Sequence, residues 1–162
     1  MATNILENAR KALKGFNHEI LIAEFDQGLK YQDNFFDCIL CADVIEHMID
    51  VRSAFREFFR LLKIDGKLIL STPNIAKAKN RLTLLLGRFP STSANNEGFG
   101  TRENESLLDG GHFHYFTFRL LNLLAKESGF NKIKNYGFGR FGKLHNFYPR
   151  LLSGASAIVC TK

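Results

Sequence analysis

Apolar positions recur every three to four residues in four stretches of the chain and run almost unbroken in five others. These are the periods of amphipathic helices and of strands buried on both faces. The first helical stretch follows Asn4, a capping residue with Glu7 three positions on, and carries Ile5, Ala9, Ala12, Leu13 and Phe16 on one side. Gly15 ends it. A second helix is predicted over 51–63, with Ala54, Phe55, Phe58, Phe59 and Leu62 on its apolar face and Asp65-Gly66 as its stop. A short basic helix over 77–86 follows the break at Pro73, and Thr117 caps a fourth over 118–128, closed by Gly129. The predicted strands are 20–23, 36–41, 67–71, 133–138 and 155–161.

Strands separated by helices form βαβ units, so the fold class is α/β with a mainly parallel sheet. A loop joins the last two strands, which predicts an antiparallel C-terminal edge. Neither a repeat nor a linker divides the chain, so residues 1–162 read as a single domain. Ligands of such sheets bind beyond the carboxyl ends of the strands. That rule directs attention to residues 24–26, 42–47 and 72–74. Residues 88–111 show no periodicity and much Gly, Ser, Asn and Glu. A structureless stretch of that length points to a lid or binding loop.

With 162 residues, 45% of them hydrophobic, the chain can bury a substantial core, and disorder is excluded. No apolar run reaches the roughly 18 residues of a membrane-spanning helix. The start, MATNILENARK, lacks the apolar stretch of a secretory leader, so a cytoplasmic location is expected. Three cysteines argue against a disulfide framework. The net charge of +6 is unevenly spread: residues 1–112 hold 14 Lys/Arg against 15 Asp/Glu, whereas 113–162 hold 8 against Glu127 alone. Such a basic end either favours an anionic partner, nucleic acid included, or forms a solvated face.

The densest chemistry follows the strand at 36–41, which runs directly into Asp43, Glu46 and His47. If a helical turn starts after Cys41, the three fall at i, i+3 and i+4 and share one face. Titratable groups gathered there do nothing for folding, which points to function. Two other motifs carry less. Residues 137–142 spell G-x-G-x-x-G, but no helix opens after them and no acid follows Glu127 to hold a ribose. Cys38 and Cys41 spell C-x-x-C, yet three apart on a strand they face opposite ways.

The order of the pieces carries a resemblance. An F-D-x-I strand, D-V-I-E-H, an amphipathic helix and then L-L-K-x-D-G-K-L-I-L-S-T-P-N resemble the class I S-adenosylmethionine-dependent methyltransferases. The segment from His112 to Thr117, its leucine-rich helix and Ser128-Gly129-Phe130 are similar to the same group's H-x-x-x-F-T … G-F stretch. The resemblance covers about residues 4–138, and the end of the chain fits the group's last two strands. It implies a Rossmann-like three-layer sandwich. The group's first strand, glycine-rich loop and acid-ended second strand have no counterpart here, so the expectation is an N-terminally truncated, partial domain that by itself holds cofactor weakly.

The implied cofactor is S-adenosylmethionine, with Glu24, Phe25 and Asp26 at the adenine corner and Cys41, Ala42 and Asp43 on the methionine side. Glu46, His47 and His112 are the implied catalytic residues facing the acceptor, carried there in part by a Gly110-Gly111 hinge and pinned by Phe113, Tyr115 and Phe116. Arg102, in the 88–111 loop, is the candidate for an anionic group on that acceptor. The implied reaction is methyl transfer to an oxygen of a small molecule or sugar. Asp43, Glu46, His47 and His112 also resemble the divalent-metal cluster of small-RNA 2′-O-methyltransferases and ubiquinone-pathway O-methyltransferases. Many relatives with the E-H pair are not metal enzymes, so no metal is assigned. Two rival readings remain at this stage. One is a non-catalytic remnant or binding subunit of the fold, favoured by the missing loop. The other is an RNA-binding or RNA-methylating protein, suggested by Phe138, Arg140, Phe141, Lys143, Phe147, Tyr148 and Arg150. An incomplete sheet edge would also favour self-association.

Overall fold

The computed structural model describes residues 11–17, 19, 28–93, 109–138 and 145–162. Four strands, β1 (Phe36–Ala42), β2 (Leu62–Pro73), β3 (Lys132–Phe138) and β4 (Ala155–Thr161), form one sheet in the order β1-β2-β4-β3. The helices are α1 (Val51–Leu61), α2 (Ala78–Leu85), α3 (Phe118–Glu127) and the single turn α4 (Pro149–Leu152). Sequence reasoning did not anticipate α4. The predicted strand at 20–23 and residues 4–10 of the first predicted helix lie outside the described residues; Lys11 and Ala12 are helical at its end, and Gly15 stops it with φ +96°.

β1 and β2 pair in parallel, and β4 runs antiparallel to both of its neighbours. Three strands therefore point one way and β4 alone points back. The reversed strand is not outermost, because it inserts between β2 and β3. Pairing puts Ile39 beside Leu68, Cys41 beside Leu70, Cys160 beside Leu68 and Ile158 beside Leu70. With the two-residue period of a strand, these side chains all share one face. On it they meet Ala54, Phe55 and Phe58 of α1 and Phe118, Leu121, Leu124 and Ala125 of α3 in one cluster. The opposite face carries Leu40 and Ile69, both exposed. No helix among the described residues is long and apolar enough to cross a membrane.

Helix α1 starts where its cap chemistry says it should. The Asp50 carboxylate accepts from the Ser53 N–H at 2.9 Å, and Val51, Ala54, Phe55, Phe58 and Leu61 form its buried stripe. It ends at Leu61, two residues before the predicted end. Leu62 is already extended and pairs with Phe36, and a bulge carrying Asp65 at φ +62° separates that pair from the rest of the β1–β2 ladder. The carbonyls of Phe59 and Leu62 accept from the Lys162 ammonium at 2.6 and 2.8 Å. A residue 100 positions away thus caps this helix, a contact no local pattern shows. On the other flank Arg60 ties residues 29–33 to α1 through Asp33, Glu57 and the carbonyls of Leu29 and Tyr31.

α3 begins at the predicted cap, with the Leu120 N–H donating to the Thr117 hydroxyl at 3.2 Å. Gly129 closes it at φ +108°, and a Cβ built there would lie 2.8 Å from the Phe59 ring, which stacks edge-on against Phe130 at 5.2 Å. Gly129→Ala is expected to destabilise the domain by about 1–3 kcal/mol, since both the backbone conformation and the aromatic contact must yield. Urea denaturation checks it, and an unchanged midpoint would show that the α1–α3 junction relaxes at no cost.

Candidate functional site

The chain leaves β1 at Ala42 and turns sharply at Asp43, whose backbone stands at φ +51° and whose N–H donates to the Ser71 carbonyl at 2.9 Å. A short 3-10 turn, Ile45–His47, follows. The sheet itself sets this turn. Ile45 is completely buried in the core, so Glu46 points inward beside it while His47 remains exposed. Because Asp43 precedes the turn in a left-handed conformation, the helical i, i+3, i+4 spacing expected for Asp43, Glu46 and His47 does not form. Asp43 stays exposed and apart from the cluster that the other two make.

The segment 109–116 returns across the carboxyl ends of β1 and β2. The N–H groups of Phe113 and His114 donate to the Glu46 carbonyl at 2.8 and 3.2 Å, and Ile75 N–H donates to the Phe116 carbonyl at 3.1 Å. Phe116, 1% exposed, anchors the segment in the core, whereas Phe113 is 52% exposed. Gly110 and Gly111 form a left-handed turn, φ +64° and +81°, closed by His112 N–H on the Asp109 carbonyl. A Cβ at Gly110 would lie 2.7 Å from Ser93, so only glycine lets the 91–93 loop approach.

This path delivers His112 to Glu46 and His47. One ligand-type atom from each of the three lies within 4.8 Å of the others, and the two imidazole rings meet edge-on at 4.8 Å between centroids. The Glu46 carboxylate is 1% exposed and accepts from the Thr72 hydroxyl at 2.9 Å, a buried bond that holds it at the end of β2. His47 Nδ1 lies 3.0 Å from the Gly111 carbonyl. A carbonyl only accepts, so Nδ1 carries the proton and the neutral ring keeps its lone pair on Nε2. Three such groups can share one small guest, whether a substrate hydroxyl, a water or a divalent cation. Carboxylate and imidazole donors suit hard or borderline cations.

Of the cofactor-side candidates, Glu24, Phe25 and Asp26 lie outside the described residues, as does Arg102. Ala42 and Asp43 are exposed at the open end of β1. Cys41 is instead buried in the core, and burial, reinforced by the Glu46 and Asp43 charges, pushes its thiol up to about 11. Burial likewise pushes Cys160 up to about 12. Cys38 is exposed on the opposite face from Cys41, so the C-x-x-C pair does not converge. An apolar groove of about 350 Å³ runs beside β1, lined by Cys41, Val44, Met48 and Phe58 among others. Residues 139–142 of the G-x-G-x-x-G motif lie outside the described residues.

Sequence reasoning missed Thr72 as the partner of Glu46, the Gly111 carbonyl as the partner of His47, and the neighbours of His112. His112 Nδ1 lies 2.7 Å from the Thr92 hydroxyl, which in turn lies 2.7 Å from the buried Asp109 carboxylate. The run Ser91-Thr92-Ser93 directly after Pro90 and the acid directly before Gly110-Gly111 were the available signals.

Among the described residues the sheet carries helices across one face and one reversed strand beside its edge, and its likeness to solved methyltransferase structures makes the α/β fold Rossmann-like. The chain matches the family described as a methyltransferase domain over residues 5–135, and it belongs to that family. Its fold is shared with solved S-adenosylmethionine-dependent methyltransferases. One from Mesorhizobium loti is 17% identical with a TM-score of 0.63, and covers 98% of this chain and 76% of its own. Another, from Thermotoga maritima, a possible histamine N-methyltransferase, is 19% identical with a TM-score of 0.61, covering 98% and 69%. A third, from Archaeoglobus fulgidus, is 13% identical with a TM-score of 0.60, covering 96% and 72%. No curated protein matches the sequence.

Proposed function

We propose that this domain transfers a methyl group from S-adenosylmethionine to a hydroxyl oxygen of a small molecule or sugar, with Glu46, His47 and His112 facing the acceptor. The observation that supports it is the convergence of a carboxylate and two imidazoles just beyond the ends of β1 and β2. Ala42 and Asp43, open at the end of β1, fit the methionine side of the cofactor, and Glu24 or Asp26 is proposed for the adenine side. When bound, that cofactor supplies an electrophilic methyl on its sulfonium sulfur. His47 takes the acceptor's hydroxyl proton on Nε2, and the resulting imidazolium is steadied by its Nδ1–H on the Gly111 carbonyl. Glu46, held by Thr72, stands ready to stabilise that cation or to accept from a second hydroxyl. Holding the acceptor oxygen in line supplies much of the remaining rate.

The test incubates the protein with methyl-labelled S-adenosylmethionine and separate panels of phenols, sugars, amines and short RNAs. Label on a hydroxyl of a phenol or sugar supports the reading. Label confined to amines or RNA, or cofactor binding without transfer to any acceptor, overturns it. Turnover abolished by a chelator and restored by Mg²⁺ or Mn²⁺ would assign the three side chains to a cation instead of to proton transfer.

A further inference from the structure

Asp109 takes no part in the proposed methyl transfer, yet its carboxylate is fully engaged. It is completely buried, and each carboxylate oxygen serves two donors. Oδ1 accepts from the Ser91 and Ser93 hydroxyls at 2.7 and 2.5 Å, while Oδ2 accepts from the Thr92 N–H at 2.5 Å and the Thr92 hydroxyl at 2.7 Å. All of these partners are neutral. Burial pushes the carboxyl upward, but the bonds from Ser93, Ser91 and Thr92 outweigh it and hold the group below its ordinary value. Asp109 is therefore an anion at neutral pH, able only to accept.

The Thr92 hydroxyl has one proton to give, and it lies between two groups at the same 2.7 Å distance, Asp109 Oδ2 and His112 Nδ1. An ionised carboxylate is the stronger acceptor, so the proton points at Asp109. The hydroxyl oxygen then offers His112 only lone pairs, and Nδ1 must be the donor. We propose that Asp109 is a positioning residue: through Thr92 it holds His112 in the Nδ1–H form and leaves the ring's lone pair on Nε2. His47 is held in the same form by a different acceptor, the Gly111 carbonyl. The turn that supplies this carbonyl is the one that begins with Asp109, so one short segment orients both imidazoles. Two rings with the same tautomer then meet edge-on at 4.8 Å beside Glu46. Asp109 acts on the chemistry only through Thr92 and His112. Among the described residues, the charged and titratable groups gathered at His112 are Glu46 and His47; Tyr115 lies close enough to Asp109 for its charge to add to the burial that raises the Tyr115 hydroxyl.

The catalytic meaning of this arrangement rests on the proposed acceptor site; the arrangement itself does not. Two-dimensional NMR of ¹⁵N-labelled protein reads which ring nitrogen of His112 is protonated, with His112→Gln identifying the signals. In the unaltered protein at a pH where the ring is neutral, Nδ1 is expected to read as protonated and Nε2 as a lone pair. Thr92→Val removes the hydroxyl but keeps the backbone N–H and both serine bonds to Asp109. It should draw the two nitrogen signals toward each other as the second tautomer becomes populated, and Thr92→Ser should restore the original pattern. Circular dichroism confirms that each variant is folded. An Nε2–H ring in the unaltered protein, or a Thr92→Val pattern identical to the original, overturns the proposal. Locked tautomers in a protein that transfers no methyl group would leave this inference standing and remove the proposed function alone.

Discussion

His47→Ala lowers methyl transfer by about 10²-fold or more in the expected outcome, with almost no change in melting temperature. The asymmetry follows from where His47 sits. Its side chain is exposed and, among the described residues, makes one hydrogen bond, to the Gly111 carbonyl, so removal costs folding about 0.5–1.5 kcal/mol at most. The loss to chemistry is larger, because Nε2 is the basic atom at the mouth of the site, and Glu46, held in the buried layer behind it by Thr72, does not occupy its position. Initial rates with labelled cofactor, alongside thermal melts, check both halves. The effect should fall on kcat rather than on KM for the acceptor, since proton removal occurs in the transition state. A large fall in melting temperature with activity per folded molecule preserved would show that His47 is only a strut between the 45–47 turn and the returning segment.

Phe116→Ala is expected to cost about 3–5 kcal/mol, as truncation of a fully enclosed aromatic ring does. Against a total stability of about 5–15 kcal/mol for a domain of this kind, that is enough to leave the protein marginal. Phe116 belongs to the same buried cluster as Phe55, Phe58 and Phe118, and its backbone bridges to Asn74 and bonds to Ile75. It lies four residues beyond His112, so the same change should also loosen the segment that carries that ring. Phe113→Ala is the internal comparison. Its ring is half exposed, and the expected change is within about 0.5 kcal/mol. Guanidinium denaturation of both variants measures the contrast. Equal losses would mean that the segment is held by its bonds to the Glu46 carbonyl and not by the Phe116 anchor.

The elements were legible because each carries its own period and punctuation. The apolar runs, the Asp50 and Thr117 caps and the glycine after α3 are all local, and they place β1, α1, α3, β3 and β4 to within two residues, although the runs read as buried on both faces and Leu40 and Ile69 lie exposed. Glu46, His47 and His112 were legible as chemistry, from residue type and from the resemblance of their order to a known family. What the sequence left unsettled was direction. Whether Asp43 joins Glu46 and His47 turns on one backbone angle at the end of β1, φ +51°, which no spacing rule contains.

The tertiary structure alone decided the rest. That Cys41 belongs to the core and Ala42 to the opening follows from which face of β1 the helices cover. That α1 stops at Leu61 follows from a strand pairing with Phe36 and a lysine 100 residues away. That Asp109 speaks to His112 follows from a threonine 17 residues before the acid, brought in over a glycine that admits no side chain. Sequence by itself determined the elements, their order and the candidate chemistry, because those depend on neighbours within a turn or a strand. Partners, tautomers and accessibility depend on residues far apart in the chain, and they exist only once the sheet has brought those residues together.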